Sequence, residues 1–137
     1  MTPRRQKKVA VPKGKAKDYR NVADNFYDGA EMARAYEYWN AAGVLIVHSA
    51  IAYTDAITIR HGGVKSKGED HAAAIDLLKD IMILDEAAKK AVRQFERMIH
   101  EKSRVSYEGE VYTRKDIEVL WKSLVRYRGW ARAALDA

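Results

Sequence analysis

No proline follows Pro12 in this 137-residue chain, and strand-like alternation is scarce beyond it. A proline inside a helix costs about 3 kcal/mol, so a long stretch without one leaves helices free to run. Apolar residues recur at helical spacing in that stretch, which makes the chain all-α in expectation. Val22, Phe26, Ala30, Ala33 and Tyr36 or Glu37 step along one face of a first helix from Tyr19 to Tyr38. Asn40 to Gly43 offers a bend before a second helix, Ala41 to His61, which Gly62 and Gly63 would close with left-handed backbone. A third helix carries Ala72, Ile75, Leu78 and Met82, with Glu69 and Asp70 placed at its start, where the helix dipole favours acids.

Asp85 reads as the N-cap of a fourth helix, Glu86 to Lys102, with a stripe of Ala88, Val92, Phe95, Met98 and Ile99. SRVSYEGEVYT, residues 103–113, alternates weakly around Gly109 and fits a loop or a short hairpin. Thr113 and Asp116 then resemble a capping pair ahead of a last helix, Arg114 to Leu135, with Ile117, Leu120, Trp121, Leu124, Tyr127 and Ala131 as its buried stripe. Short links between helices as long as about 30 Å imply antiparallel neighbours. The expected fold is an antiparallel up-down bundle of about five helices over residues 18–137.

The net charge of +6 is unevenly placed. Residues 1–17, MTPRRQKKVAVPKGKAK, hold seven Lys or Arg and no acid, while the remainder nets −1. Such a segment is expected to be a disordered basic tail. It would be either a solvated arm or a nucleic-acid contact driven by counterion release. It lacks the apolar run of a signal peptide. No apolar run is expected to reach the roughly 18 to 20 residues that span a bilayer, so a soluble, cytoplasmic protein without membrane contact is expected. The absence of cysteine removes disulfides, thiolate metal sites and cysteine nucleophiles.

The remaining motifs are few. No histidine has Glu three residues before it, HExxH is absent, and neither a metal nor another cofactor is expected. GxxxxGK[ST], GxGxxG and GxSxG are also absent. His48 and Asp55 lie seven apart on the apolar second helix, so they share a face. Either Asp55 accepts a bond from a neighbouring helix and fixes the packing, or the pair lines a polar cleft; without a partner its pKa must rise. Arg93 and His100 share a face of the fourth helix in the same way, as a ribonuclease-like pair or as part of a solvated charged side. Eight Tyr and three Trp against two Phe suggest either polar-ended core packing or an aromatic-lined pocket for a ligand or base.

The order of these features resembles the HEPN domain family. The small-residue helix AAGVLIVHSAIAYTDAITIRHGG, with its acid Asp55 and glycine loop, is similar to the family's second helix. His71 in KSKGEDHAAAIDLL matches a histidine that opens the next helix. ERMIHEKSRVSYEG, residues 96–109, is similar to the helix end that carries the family's Arg-x4–6-His motif. There the chain departs from the pattern, with Lys102 where Arg is expected and Tyr107 where His is expected. Lys binds phosphate as a point charge and Tyr is a poor proton shuttle near neutral pH.

The resemblance implies an antiparallel bundle, a homodimer, and a place among ribonucleases or the partners of nucleotidyltransferases in toxin–antitoxin pairs. With the motif altered, it implies a non-catalytic or weakly catalytic module that binds a nucleotide, RNA or a protein. The rivals are a metal-independent ribonuclease using Arg93 and His100, or Lys102 with His71, and a purely structural partner subunit. It also places Asp55 in a cleft facing Lys102, Arg104 or Tyr107, with His71 nearby, where a charge-assisted bond would keep Asp55 ionised.

Overall fold

The computed structural model of the chain describes residues 8–68 and 71–137. The elements run β1 (Lys8–Ala10), a 3-10 turn (Lys13–Lys15), α1 (Ala16–Ala35), α2 (Trp39–Gly62), β2 (Val64–Ser66), α3 (His71–Ile81), α4 (Glu86–His100), α5 (Lys102–Ser106) and α6 (Arg114–Asp136). The fold is an all-α bundle with one small two-stranded sheet.

Residues 8–17, expected in a disordered tail, hold regular structure. β1 pairs antiparallel with β2, Val9 opposite Lys65, and the Val11 amide donates to the Gly63 carbonyl at 2.9 Å. The sheet gives the backbone of these residues partners that composition does not reveal. The first seven residues of the expected tail, and Glu69 and Asp70, lie outside the described residues.

α1 starts and stops three residues earlier than periodicity suggests. Its end is a Schellman motif: Glu37 takes φ +64°, its amide donates to the Arg34 carbonyl at 3.1 Å, and that of Tyr38 to Ala33 at 2.8 Å. The chain therefore reverses before Asn40. Gly43 lies inside α2, where a Cβ would meet Val105 at 3.2 Å and Ile117 at 3.3 Å. The buried line of α1 is Ala16, Ala23, Ala30 and Ala33, whereas Val22 is 47% and Tyr36 66% exposed. Small residues let α1 lie close along α2, so the larger ones point away.

α2 is the centre of the bundle, packed by α1, α3, α6 and both short elements before and after it. By length and composition it could cross a membrane, contrary to the expectation that no run is long enough; 78% of its most apolar window is buried by the rest of the fold. Ser49, Tyr53, Thr54, Asp55 and Thr58 interrupt the run without lowering its mean hydropathy below that of a span. α2 and α6 run parallel, as the bonds Thr54–Tyr127 (2.5 Å) and His61–Ala134 (2.8 Å) require. α1 and α4 run against them. α4 returns the chain to the end where α2 begins, so α6 sets out beside the start of α2, with Val105 and Ile117 both facing Gly43.

The remaining ends follow local chemistry. Asp85 caps α4 by accepting from the Ala88 amide at 2.8 Å. Thr113 and Asp116 form a full capping box, which holds the Asp116 carboxyl below the usual range. All six residues of the expected α6 stripe are buried. Residues 103–113 are neither strand nor hairpin: α5 covers Lys102–Ser106, and Val105 packs into the core.

Candidate functional site

Arg93 and His100 both stand exposed on the outer face of α4. Arg97 between them donates to Gln94 at 3.4 Å. Neither Arg93 nor His100 lines any of the recesses described below.

Asp55 is 7% exposed, and its Oδ1 has no hydrogen-bond partner among the described residues. Burial pushes its pKa up to about 7, against the opposing pull of the Lys65 ammonium on β2. The expected bond to Lys102, Arg104 or Tyr107, which would have kept the carboxylate ionised, is not formed. α5 packs at the start of α2, where Val105 meets Gly43. Asp55 lies twelve residues further on, about 18 Å along the helix. Periodicity places residues on a face but does not say which neighbour covers each level of it.

The other expected cleft residues form a separate group. Lys102 lies over the Tyr107 ring at 5.4 Å, and Tyr107 is 74% exposed. Arg104 bonds Glu101 at 2.8 Å, reaches Glu110 at 3.4 Å and lies over the Tyr112 ring at 5.7 Å. Tyr112 donates to Glu101 at 2.5 Å, and burial together with that bond raises its pKa. This group ties the 101–112 excursion back to itself, a structural role. His71 opens α3 and is half-buried. His48 sits on the α1 side, its ring 5.8 Å from that of Phe26. Among the described residues no three His, Asp or Glu side chains gather as metal ligands.

Sequence reasoning missed a ladder that closes α1 onto α6. Arg34 donates to both carboxylate oxygens of Glu118, at 2.6 and 2.7 Å, and lies 5.0 Å over the Trp121 ring. Trp121 stacks on Tyr27 at 4.9 Å, and Arg128 covers Tyr27 at 4.0 Å. Arg128 also donates to the Tyr53 hydroxyl at 2.8 Å, and that hydroxyl donates to Asp24. The signal is present in the spacing. Tyr27 and Arg34 are seven apart on one helix, Trp121 and Arg128 seven apart on another, so antiparallel helices pair each ring with the opposite cation.

The ladder ends at a strongly basic recess of about 230 Å³, lined by Lys13, Gly14, Ala16, Lys17, Arg20, Arg60 and Leu135. The 3-10 turn and the amino end of α1 present Lys13, Lys17 and Arg20, and the last turn of α2 adds Arg60. Arg20 is paired with Asp136 at 2.6 Å, and Arg60 donates to the Ala137 carbonyl at 2.5 Å. Among the described residues no carboxylate pairs with Lys13 or Lys17, while Lys15 reaches Asp18 at 3.8 Å. Lys13 and Lys17, beside the amino end of α1 and without a carboxylate partner among the described residues, make this recess attractive to an anion. Compared with protein-family models, curated proteins and solved structures, the chain matches none.

Proposed function

We propose that this chain is a non-catalytic helical module that binds nucleic acid by its phosphates, with the basic end of the bundle as its interface. The observation that carries this reading is the recess of Lys13, Lys17, Arg20 and Arg60. Two of those cations come from the stretch that holds the uneven charge of the sequence, and β1 and the 3-10 turn hold that stretch against the bundle. A fixed cationic cradle binds phosphate with less ordering cost than a free tail. RNA is the polymer that the HEPN resemblance implies. The exposed setting of Arg93 and His100 supports a binding role over cleavage, because acid–base catalysis needs a proton donor held against a positioned phosphate.

The test is retention and cleavage of a labelled RNA across a salt series. Retention should fall with salt, and Lys13→Gln with Lys17→Gln should reduce the log–log slope by roughly 1.4 for a single strand. Wild type and the Arg93→Ala, His100→Ala variant should both leave the RNA intact. Cleavage that depends on His100 would make the chain a ribonuclease instead.

A second reading rests on Met32, Tyr36 and Tyr38, which are 60%, 66% and 66% exposed at the foot of α1, with Tyr36 and Tyr38 stacked on each other. Exposed aromatics favour a protein face, whether for a second copy, as the homodimer of the resemblance, or for a nucleotidyltransferase partner. Sedimentation of the chain alone against Tyr36→Ser, Tyr38→Ser separates the two: a dimer that the variant breaks assigns the face to self-association.

A further inference from the structure

Two further recesses adjoin beside α6, and Trp130 and Ala87 line both. The first, about 420 Å³, is bounded by Lys90, Gln94 and Arg126. The second, about 440 Å³, runs past Ile83 to His61 and Ala134. Arg60 and Leu135, the next residues in sequence to His61 and Ala134, belong to the basic recess already described. The second recess and the basic recess thus border the same last turns of α2 and α6 from different sides.

We propose that a single-stranded nucleic acid follows a path through these recesses, with a base stacked on Trp130 and phosphates held by Lys90 and Arg126 on one side and by the basic recess on the other. The proposal rests on the nucleic-acid reading above and names the form of the ligand and a second part of its interface.

Charge and shape both favour that occupant. Among the described residues, Lys90 and Arg126 are the only charged ones lining the first recess, and both are cationic. Asp85 in the second caps α4 through Oδ1 and keeps its negative charge, so the cations of the path stand on either side of it rather than along it. A buried apolar helix from a partner would leave the Lys90 and Arg126 ammonium and guanidinium groups facing it, whereas a polyanion uses them. Trp130 is half-buried, and one side of the indole packs against Tyr127 with centroids 5.8 Å apart. A ring fixed in this way needs little further ordering to receive a base. From Arg126 to Leu135 the path climbs about 13 Å along the helix, the scale of a few nucleotides. A duplex keeps its base faces stacked inside, so it could use the cations but not the indole.

The experiment is fluorescence anisotropy with a short labelled mixed-sequence RNA, as single strand and as duplex. The full chain is compared with Trp130→Leu, Trp130→Phe, the pair Lys90→Gln and Arg126→Gln, and the pair Lys13→Gln and Lys17→Gln. Trp130→Leu should weaken single-strand binding about tenfold and leave duplex binding unchanged, with Trp130→Phe restoring most of the loss. The Lys90, Arg126 pair lies on the surface and should weaken single-strand binding even if Trp130→Leu fails to fold. If the Lys13, Lys17 pair weakens binding while the Trp130 and Lys90, Arg126 variants bind as wild type, the path is wrong and the phosphate reading stands. If wild type retains neither RNA, both fall.

Discussion

Arg128 on α6 covers the Tyr27 ring of α1 at 4.0 Å and donates to the Tyr53 hydroxyl of α2 at 2.8 Å, so one guanidinium joins three helices. It also stands 3.7 Å from Asp24. Arg128→Ala removes the cation–π contact and leaves the Tyr53–Asp24 pair without its cation. The variant should lose about 2 kcal/mol, read from the urea midpoint. Arg128→Lys should recover only part of this, because an ammonium cannot stack on the ring and reach the hydroxyl with a planar fork.

Asp55 makes stability depend on pH in an unusual direction. Its pKa rises from the ordinary 3.8 to about 7 on folding, chiefly through burial. Between those values the folded chain holds a proton that the unfolded chain has released, so stability falls as pH rises. The contribution is whole below the unfolded value and gone above the folded one. It amounts to on the order of 4 kcal/mol. Asp55→Asn should flatten this dependence and be more stable than wild type at pH 8, with urea titrations at pH 5 and pH 8 as the check.

Gly62 and Gly63 are adjacent but should respond differently to alanine. Gly63 closes α2 at φ +66°, where any Cβ is strained. Gly63→Ala should cost about 1 kcal/mol. Gly62 is still helical, and its new Cβ would meet the far end of the Ile81 side chain at 2.6 Å, which can swing away. Gly62→Ala should therefore be the milder change in a thermal melt.

Thr113→Ala removes the oxygen that accepts from the Asp116 amide at 3.3 Å and donates to the Asp116 carboxylate at 3.0 Å, while the backbone amide of residue 113 keeps its bond to that carboxylate. A loss of about 1 kcal/mol is expected. Amide exchange should quicken most in the first turn of α6, because the rest of that helix is held by Ile117, Leu120 and Leu124 in the core.

Local patterns are legible in the amino-acid sequence by itself. The long helices, the caps at Asp85 and Thr113 and the left-handed stop at Gly63 depend on contacts within a few residues, which spacing encodes directly, whereas the short α5 is not legible in this way. The inward side of α1 is not legible in the same way. Hydrophobic size favours Val22 and Tyr36, while close approach to α2 selects Ala23 and Ala30.

The arrangement of the candidate site belongs to the tertiary level. Asp55 sits on the expected helix, yet the cations expected to meet it lie at the other end of α2, because the level at which α5 docks is set by the Val105–Gly43 contact. The basic stretch stands out by composition alone. Its fixed cradle with Arg20 and Arg60 exists because β1 pairs with β2 and the ends of α1 and α2 meet. Periodicity describes one helix at a time. The register between helices comes from packing, and packing decides which distant side chains share a surface.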